Sequence, residues 1–121
     1  MPFFKRAQIA AADLHVTGVA PAADIGRLTL FADNLVPHVL RLDGVLEFDE
    51  RLVGRIDAGF LLEHDSPEEV EIRACALTAV ELLVEARPDL TAAVVDNILW
   101  NRGALPRYKA RPRHRARTTA Y

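Results

Sequence analysis

The chain is poor in the features that most readily declare a function. Its 121 residues hold a single cysteine, Cys75. That excludes an internal disulfide and a multi-thiolate zinc site, and a reducing cytoplasm is the expected compartment. No apolar run approaches the roughly 20 residues that a membrane span requires. Met1-Pro2-Phe3-Phe4-Lys5-Arg6 has no long apolar segment of the kind that marks a signal peptide. There is no glycine-rich phosphate loop, no paired-histidine or paired-cysteine metal spacing, and no nucleophile elbow. The four histidines, His15, His38, His64 and His114, are scattered, so neither a metal nor a cofactor is expected. No alternating strand pattern of useful length appears beyond the short candidate Gly44-Val45-Leu46-Glu47-Phe48.

Helical punctuation is abundant. Residues 3–16 form an expected first helix, with Phe4, Ile9, Ala12 and Val16 at near-helical spacing, ended by Gly18 and Pro21. Asp24 can cap a short helical turn running toward Phe31. Residues 36–43 form a second helix with Pro37 in its first turn and Gly44 as its stop. Asp49 caps a third through Ile56, closed by Gly59. Ser66-Pro67-Glu68-Glu69 combines cap, N1 proline and N3 glutamate in the pattern of a capping box. The helix it opens, to about Ala86, is apolar nearly all round after Arg73. It is expected to be the most buried helix, with Cys75 as a buried thiol. Pro88 breaks it, and a last helix covers residues 90–101. The expectation is an all-α compact domain, with residues 1–103 as its body and 104–121 as a basic tail packing on it.

Charge is segregated. Residues 1–100 carry all 17 acids and 8 of the 15 Lys/Arg, and the tail holds only bases. Such a tail can bind phosphate, bind nucleic acid or fold back on its own acidic body. It lacks interleaved aromatics beyond Tyr108 and Tyr121, so direct nucleic-acid binding is not expected.

Among the acids, Glu68 and Glu69 suit the positive end of a helix dipole, and Glu71 can pair with other side chains where the buried section begins. Asp33, in Leu28-Thr29-Leu30-Phe31-Ala32-Asp33-Asn34-Leu35-Val36-Pro37, ends an apolar run at the point where a helix opens. It either marks that turn or holds a carboxylate for chemistry. Lys5 follows two aromatics, and Asp13 lies eight residues further, on a similar helical face. Both are otherwise ordinary surface charges.

Several of these segments, taken in order, resemble one known family. They are Lys5-Arg6-Ala7-Gln8-Ile9 with Ala12-Asp13-Leu14, the 28–37 segment, Gly44 to Phe48, Ser66 to Ala74, Ala79 to Leu83, Leu99-Trp100, and His114-Arg115-Ala116-Arg117-Thr118 with Tyr121. Together they are similar to the queuosine 5′-phosphate N-glycosylase/hydrolase (queuosine salvage) proteins.

The resemblance implies an all-helical fold like that of DNA glycosylases with a helix-hairpin-helix core, of which this chain matches the C-terminal portion. It also implies hydrolysis of the N-glycosidic bond of queuosine 5′-phosphate, releasing queuine for tRNA modification. Asp33 falls at the family's essential carboxylate and Lys5 at an active-site lysine. Asp13 is implied as a further substrate contact. His114, Arg115 and Arg117 are left either to hold the 5′-phosphate or to fix the tail by salt bridges. Breaking a C1′–N9 bond builds oxocarbenium-like charge on the ribose, which a buried carboxylate stabilises while it orients water.

The family usually reads Phe-Ala-Asp-Tyr-Arg-Val-Pro-Gln where this chain has Asn34, Leu35 and His38 in place of the tyrosine, the base and the glutamine. The stretch between Asp13 and Asp33 is also shorter than in many relatives. Family members are longer, and the part absent here carries some of the base pocket. The alternative reading is therefore a truncated, non-catalytic helical interaction module that associates through an exposed apolar face.

Overall fold

A computed structural model describes residues 2–121. Six helices dominate: α1 (Lys5–Val16), α2 (Leu35–Leu42), α3 (Glu50–Asp57), α4 (Pro67–Ala86), α5 (Ala92–Arg102) and the single turn α6 (Pro106–Lys109). A 3₁₀ turn, Ile25–Arg27, lies between α1 and α2. Two strands of two residues each, β1 (Leu61–Leu62) and β2 (Arg115–Ala116), pair in parallel, with Leu61 opposite Arg115. The domain is thus predominantly helical. The Gly44–Phe48 strand candidate is not a strand; the β1–β2 ladder instead joins the loop before α4 to the basic tail, a pairing no local pattern encodes.

Two of the caps expected from the sequence form: Asp49 accepts from the amides of Arg51 and Leu52, and Ser66 accepts from the Glu69 amide. Thr91, not singled out in the sequence, accepts from the Val94 amide and opens α5. The Ser66 box is only half formed. Glu69 does not reach back to Ser66; its Oε2 accepts from the Asp65 amide at 3.2 Å, while its Oε1 turns inward. Asp24 makes no side-chain cap, and the turn it precedes stops at Arg27.

The core lies where α2, α4 and α5 meet, built from Leu30, Val36, Leu40, Ala76, Val80, Ala92 and Val95. The most enclosed helix is α2, in which Val36 to Leu40 are all buried, because α4, α5 and α6 pack around it. The longer α4 buries one stripe, through Ile72, Arg73, Ala76 and Val80, and leaves Leu82 and Leu83 exposed. Cys75 is one residue off that stripe, about 100° around the helix. It is exposed, in a groove between α3 and α4 beside Phe48 and Ile72. It is not the buried thiol expected from composition.

The basic tail lies against the body. Asp43, at the end of α2, accepts from Arg102 Nε (2.8 Å), Arg107 Nη2 (2.8 Å) and the Tyr108 hydroxyl (2.6 Å). The residues that differ from the family pattern after Asp33 take part in the same seam. Asn34 Nδ2 donates to the His114 carbonyl at 3.2 Å, His38 Nε2 is 2.7 Å from the Tyr108 carbonyl, and Leu35 packs on Gly103. A Cβ added at Gly103 would lie 2.8 Å from Leu35 Cδ1 and 3.0 Å from its Cγ. Gly103→Ala is therefore expected to lower stability by about 1–3 kcal/mol through overpacking, read as an earlier denaturation midpoint at unchanged slope.

Candidate functional site

The segment that carries Asp33 is buried yet has no regular structure. From Leu30 to Asp33 every residue is buried, so each backbone polar group needs a partner that a helix or strand would otherwise supply. Side chains from three helices supply them. Gln8 of α1 accepts from the Thr29 amide with Oε1 (2.8 Å) and donates to the Thr29 hydroxyl with Nε2 (3.0 Å). Asp96 of α5 accepts from the Phe31 amide (3.1 Å). Arg73 of α4 donates from Nε to the Ala32 carbonyl (3.1 Å).

Asp33 closes the segment. Its Oδ1 accepts from the amides of Leu35 (2.9 Å) and Val36 (3.1 Å), the first turn of α2. That cap fixes the carboxylate orientation and leaves Oδ2 facing Lys5 Nζ at 4.0 Å. Lys5 is placed by the same anchor that holds the segment, since it precedes Gln8 by one turn on α1. Asp33 is 6% exposed.

Beneath this pair Glu69, expected from the sequence only to oppose a helix dipole, forms a buried ion pair with Arg73. Glu69 Oε1 accepts from Arg73 Nη1 at 3.1 Å, with side chains 0% and 1% exposed. The Arg73 guanidinium is also held between the rings of Phe3 (4.3 Å) and Tyr121 (4.9 Å), a desolvated cation–π arrangement. Arg73 thereby ties both ends of the chain to the residue preceding Asp33. Burial, then the Glu69 charge, pushes the Tyr121 phenol up to about 12. Glu68 is half-buried and pairs with Arg55, and Glu71 is exposed. His64, Asp65 and Glu69 bring donor atoms within 4.8 Å of one another, but Arg73 already compensates the Glu69 charge.

The other residues singled out in the sequence are spread around this centre. Asp13, two turns along α1 from Lys5, is exposed at the rim of a cavity of about 440 Å³ between α1 and α5. His114 is buried with its ring edge-on to Tyr121. Burial, aided by the Arg73 charge, pushes it down to about 4, so at neutral pH it is a neutral imidazole and not a cation. Arg115 is exposed and donates to the Gly59 carbonyl at 3.3 Å. Arg117 is exposed beside His64.

Asp96 was not singled out. It is 7% exposed and lines the same cavity as Asp13. Its carboxyl is pushed up to about 6, first by burial and then by the Asp33 charge, with Lys5 acting in the opposite sense. The readable signal was its spacing: Asp96 is four residues after Ala92 and three before Leu99, on the inward face of α5.

A raised carboxyl pKa means that the folded protein holds this proton more tightly than the unfolded chain. Ionisation therefore erodes stability as pH rises from about 4 to 6, and the full cost persists at pH 7. Asp96→Asn, whose amide oxygen can still accept from Phe31, is expected to be more stable than the parent at pH 7, on the order of 1–2 kcal/mol after solvent screening through the cavity. The difference should close below pH 4, as thermal melts at the two pH values would show.

Fold and site define a small helical domain with a braced carboxylate–lysine pair and a second buried carboxylate beside it. The chain belongs to the queuosine salvage protein family, whose model matches residues 1–121. Among curated relatives, the queuosine 5′-phosphate N-glycosylase/hydrolase of Sphaerobacter thermophilus is 39% identical over 127 residues, covering 98% of this chain and 39% of the relative. That of Dictyostelium discoideum is 35% identical, covering 98% and 40%. That of Bos taurus is 35% identical, covering 80% and 32%. The chain thus spans about 40% of the length of relatives it matches. No described helix is long and apolar enough to cross a membrane.

Proposed function

We propose that this chain carries the catalytic carboxylate and lysine of a queuosine 5′-phosphate N-glycosidase, as the C-terminal portion of a helix-hairpin-helix glycosylase-like domain acting in the cytoplasm. The observation that carries this reading is the division of labour in Asp33. One oxygen is fixed by two backbone amides, and the other is held toward Lys5.

In the reaction the C1′–N9 bond breaks as positive charge builds on the ribose. In this reading Asp33 Oδ2 stabilises that charge and takes a proton from the attacking water, while the base leaves with the bonding electron pair and receives that proton, regenerating the carboxylate. Lys5 balances the carboxylate and holds the anionic side of the substrate. Asp13, His114, Arg115 and Arg117 are the remaining substrate contacts in this reading. His114 acts there as a neutral hydrogen-bonding ring, and the two arginines as the phosphate-facing charges. Incubating the protein with queuosine 5′-phosphate should release free queuine, measured by mass spectrometry. No release from this chain, alone or supplemented with the remaining portion of a relative, rejects the reading.

A second reading, a non-catalytic interaction module, is favoured by Val94 and Ile98. They lie one turn apart on α5, and both are exposed together with Trp100. It predicts concentration-dependent association and no turnover.

A further inference from the structure

A cleft of about 540 Å³ lies where the end of α5, the single turn α6 and the tail meet the first turn of α2. Its walls include His38, Trp100, Lys109, Arg111, Arg113 and Arg115, and no carboxylate among the described residues lines it. It shares Trp100 with the cavity between α1 and α5 and holds neither Lys5 nor Asp33. Four cations on one concave wall repel one another. Of the four, Arg111 alone has a carboxylate partner among the described residues, Asp57 at 3.4 Å. The fold thus gathers positive charge here without compensating it.

His38 gives the cleft its buried polar group. It is 3% exposed, and its Nε2 is 2.7 Å from the Tyr108 carbonyl. A carbonyl can only accept, so Nε2 carries the proton and donates. Nδ1 is buried without a hydrogen-bond partner. It is a stranded acceptor in the neutral ring and a stranded donor in the charged one. Burial lowers the pKa of the ring, the Tyr108 carbonyl opposes that, and Arg41, Arg113 and Arg111 lower it further. The neutral ring of His114 is also near. A bound anion reverses each of these penalties: it offsets the repulsion, favours the charged ring and accepts from it. Position 38 is also where this chain departs from the glutamine usual in its family, so the chargeable donor belongs to this chain in particular.

We propose that this cleft binds a phosphate group, free or as a monoester, at a site separate from the Lys5–Asp33 pair. His38 donates to it from Nδ1, and Lys109, Arg111 and Arg113 supply the surrounding charge, the arginines through the planar fork that matches phosphate oxygens. The cleft has α2 on one side and the tail on the other, so the bound anion clamps the tail to the body. Occupancy therefore stabilises the fold, as any ligand of the folded state alone does.

Calorimetric titration tests this with inorganic phosphate and with glycerol 3-phosphate, potassium chloride holding the ionic strength constant. The expected result is saturable binding, with the tighter of the two probes telling free phosphate from ester. In Arg113→Gln and in His38→Gln affinity should fall about tenfold or more, the loss expected for one hydrogen bond between charged groups. Phosphate should also raise the thermal midpoint of the parent more than that of either variant. Melts without phosphate show whether each variant is folded. Arg113 is exposed, so its replacement keeps the test valid if His38→Gln weakens the core. No saturable binding in the parent, an equal response to chloride, or unchanged affinity in a folded variant would overturn the proposal. So would displacement of phosphate by queuosine 5′-phosphate in Asp33→Asn, because the cleft would then belong to the substrate site. Binding is read without turnover, so phosphate binding without queuine release leaves the cleft assigned and rejects only the hydrolase reading.

Discussion

Replacing Arg73 with methionine is expected to destabilise the domain by about 3–5 kcal/mol, because it strands the buried Glu69 carboxylate. That is a large share of the 5–15 kcal/mol by which small domains are folded. Glu69 Oε2 would retain the Asp65 amide, but Oε1 would lose its charged partner, at 3.1 Å. The loss does not stop at the pair. Arg73 also holds the Ala32 carbonyl and packs between Phe3 and Tyr121, so the segment bearing Asp33 loses a brace and both chain ends lose their shared contact. Replacing both partners, Glu69→Leu with Arg73→Met, is expected to cost less than Arg73→Met alone, since the stranded charge is gone. It should not restore the parent fully, because the Ala32 carbonyl remains without its donor. Urea denaturation of the two single variants and the double variant measures both quantities. A double variant no more stable than Arg73→Met would show that the stranded charge is not the dominant cost.

On the proposed hydrolase reading, Asp33→Asn is expected to reduce queuine release about a thousandfold while leaving the fold intact. The magnitude follows from removing both a charge-stabilising group and a general base, each worth two to four orders of magnitude in comparable sites. The fold is spared because the asparagine oxygen can still accept from the Leu35 and Val36 amides that Asp33 Oδ1 now caps. Asp33→Ala would confound the two roles, losing the cap at about 1 kcal/mol as well as the charge. Lys5→Ala should have a smaller effect on turnover, since its ammonium is 4.0 Å from the carboxylate and acts on its electrostatics without touching the leaving base. If turnover survives Asp33→Asn, the carboxylate is a cap and nothing more. That is the alternative that spacing by itself left open.

Much of the local architecture was legible because its causes are local. A serine or threonine before a helix, a proline at its first position and a glycine in the left-handed conformation at its end act within one turn. Ser66-Pro67, Asp49 and Gly44 accordingly stop and start helices close to where the pattern places them. The same locality misled where burial was at stake. The apolar composition of α4 after Arg73 pointed to the most buried helix, yet only one stripe is covered. Composition does not say how many neighbours a helix has. Glu69 fits a capping box by spacing, but its carboxylate turns to Arg73, a better partner once both are withdrawn from water.

What the sequence determined by itself is the predominantly helical architecture, the position of Asp33 at the mouth of α2 and, through ordered motifs, membership of the queuosine salvage family. What only the tertiary structure decided is the set of groups around that carboxylate. Asp96 reaches the segment across 65 residues, Arg73 across 41, and Lys5 comes alongside through the anchor of Gln8 to Thr29. The reason is physical. An irregular buried segment cannot satisfy its own amides and carbonyls, so its partners come from whichever helices the core brings near. No periodicity along the chain records which those are.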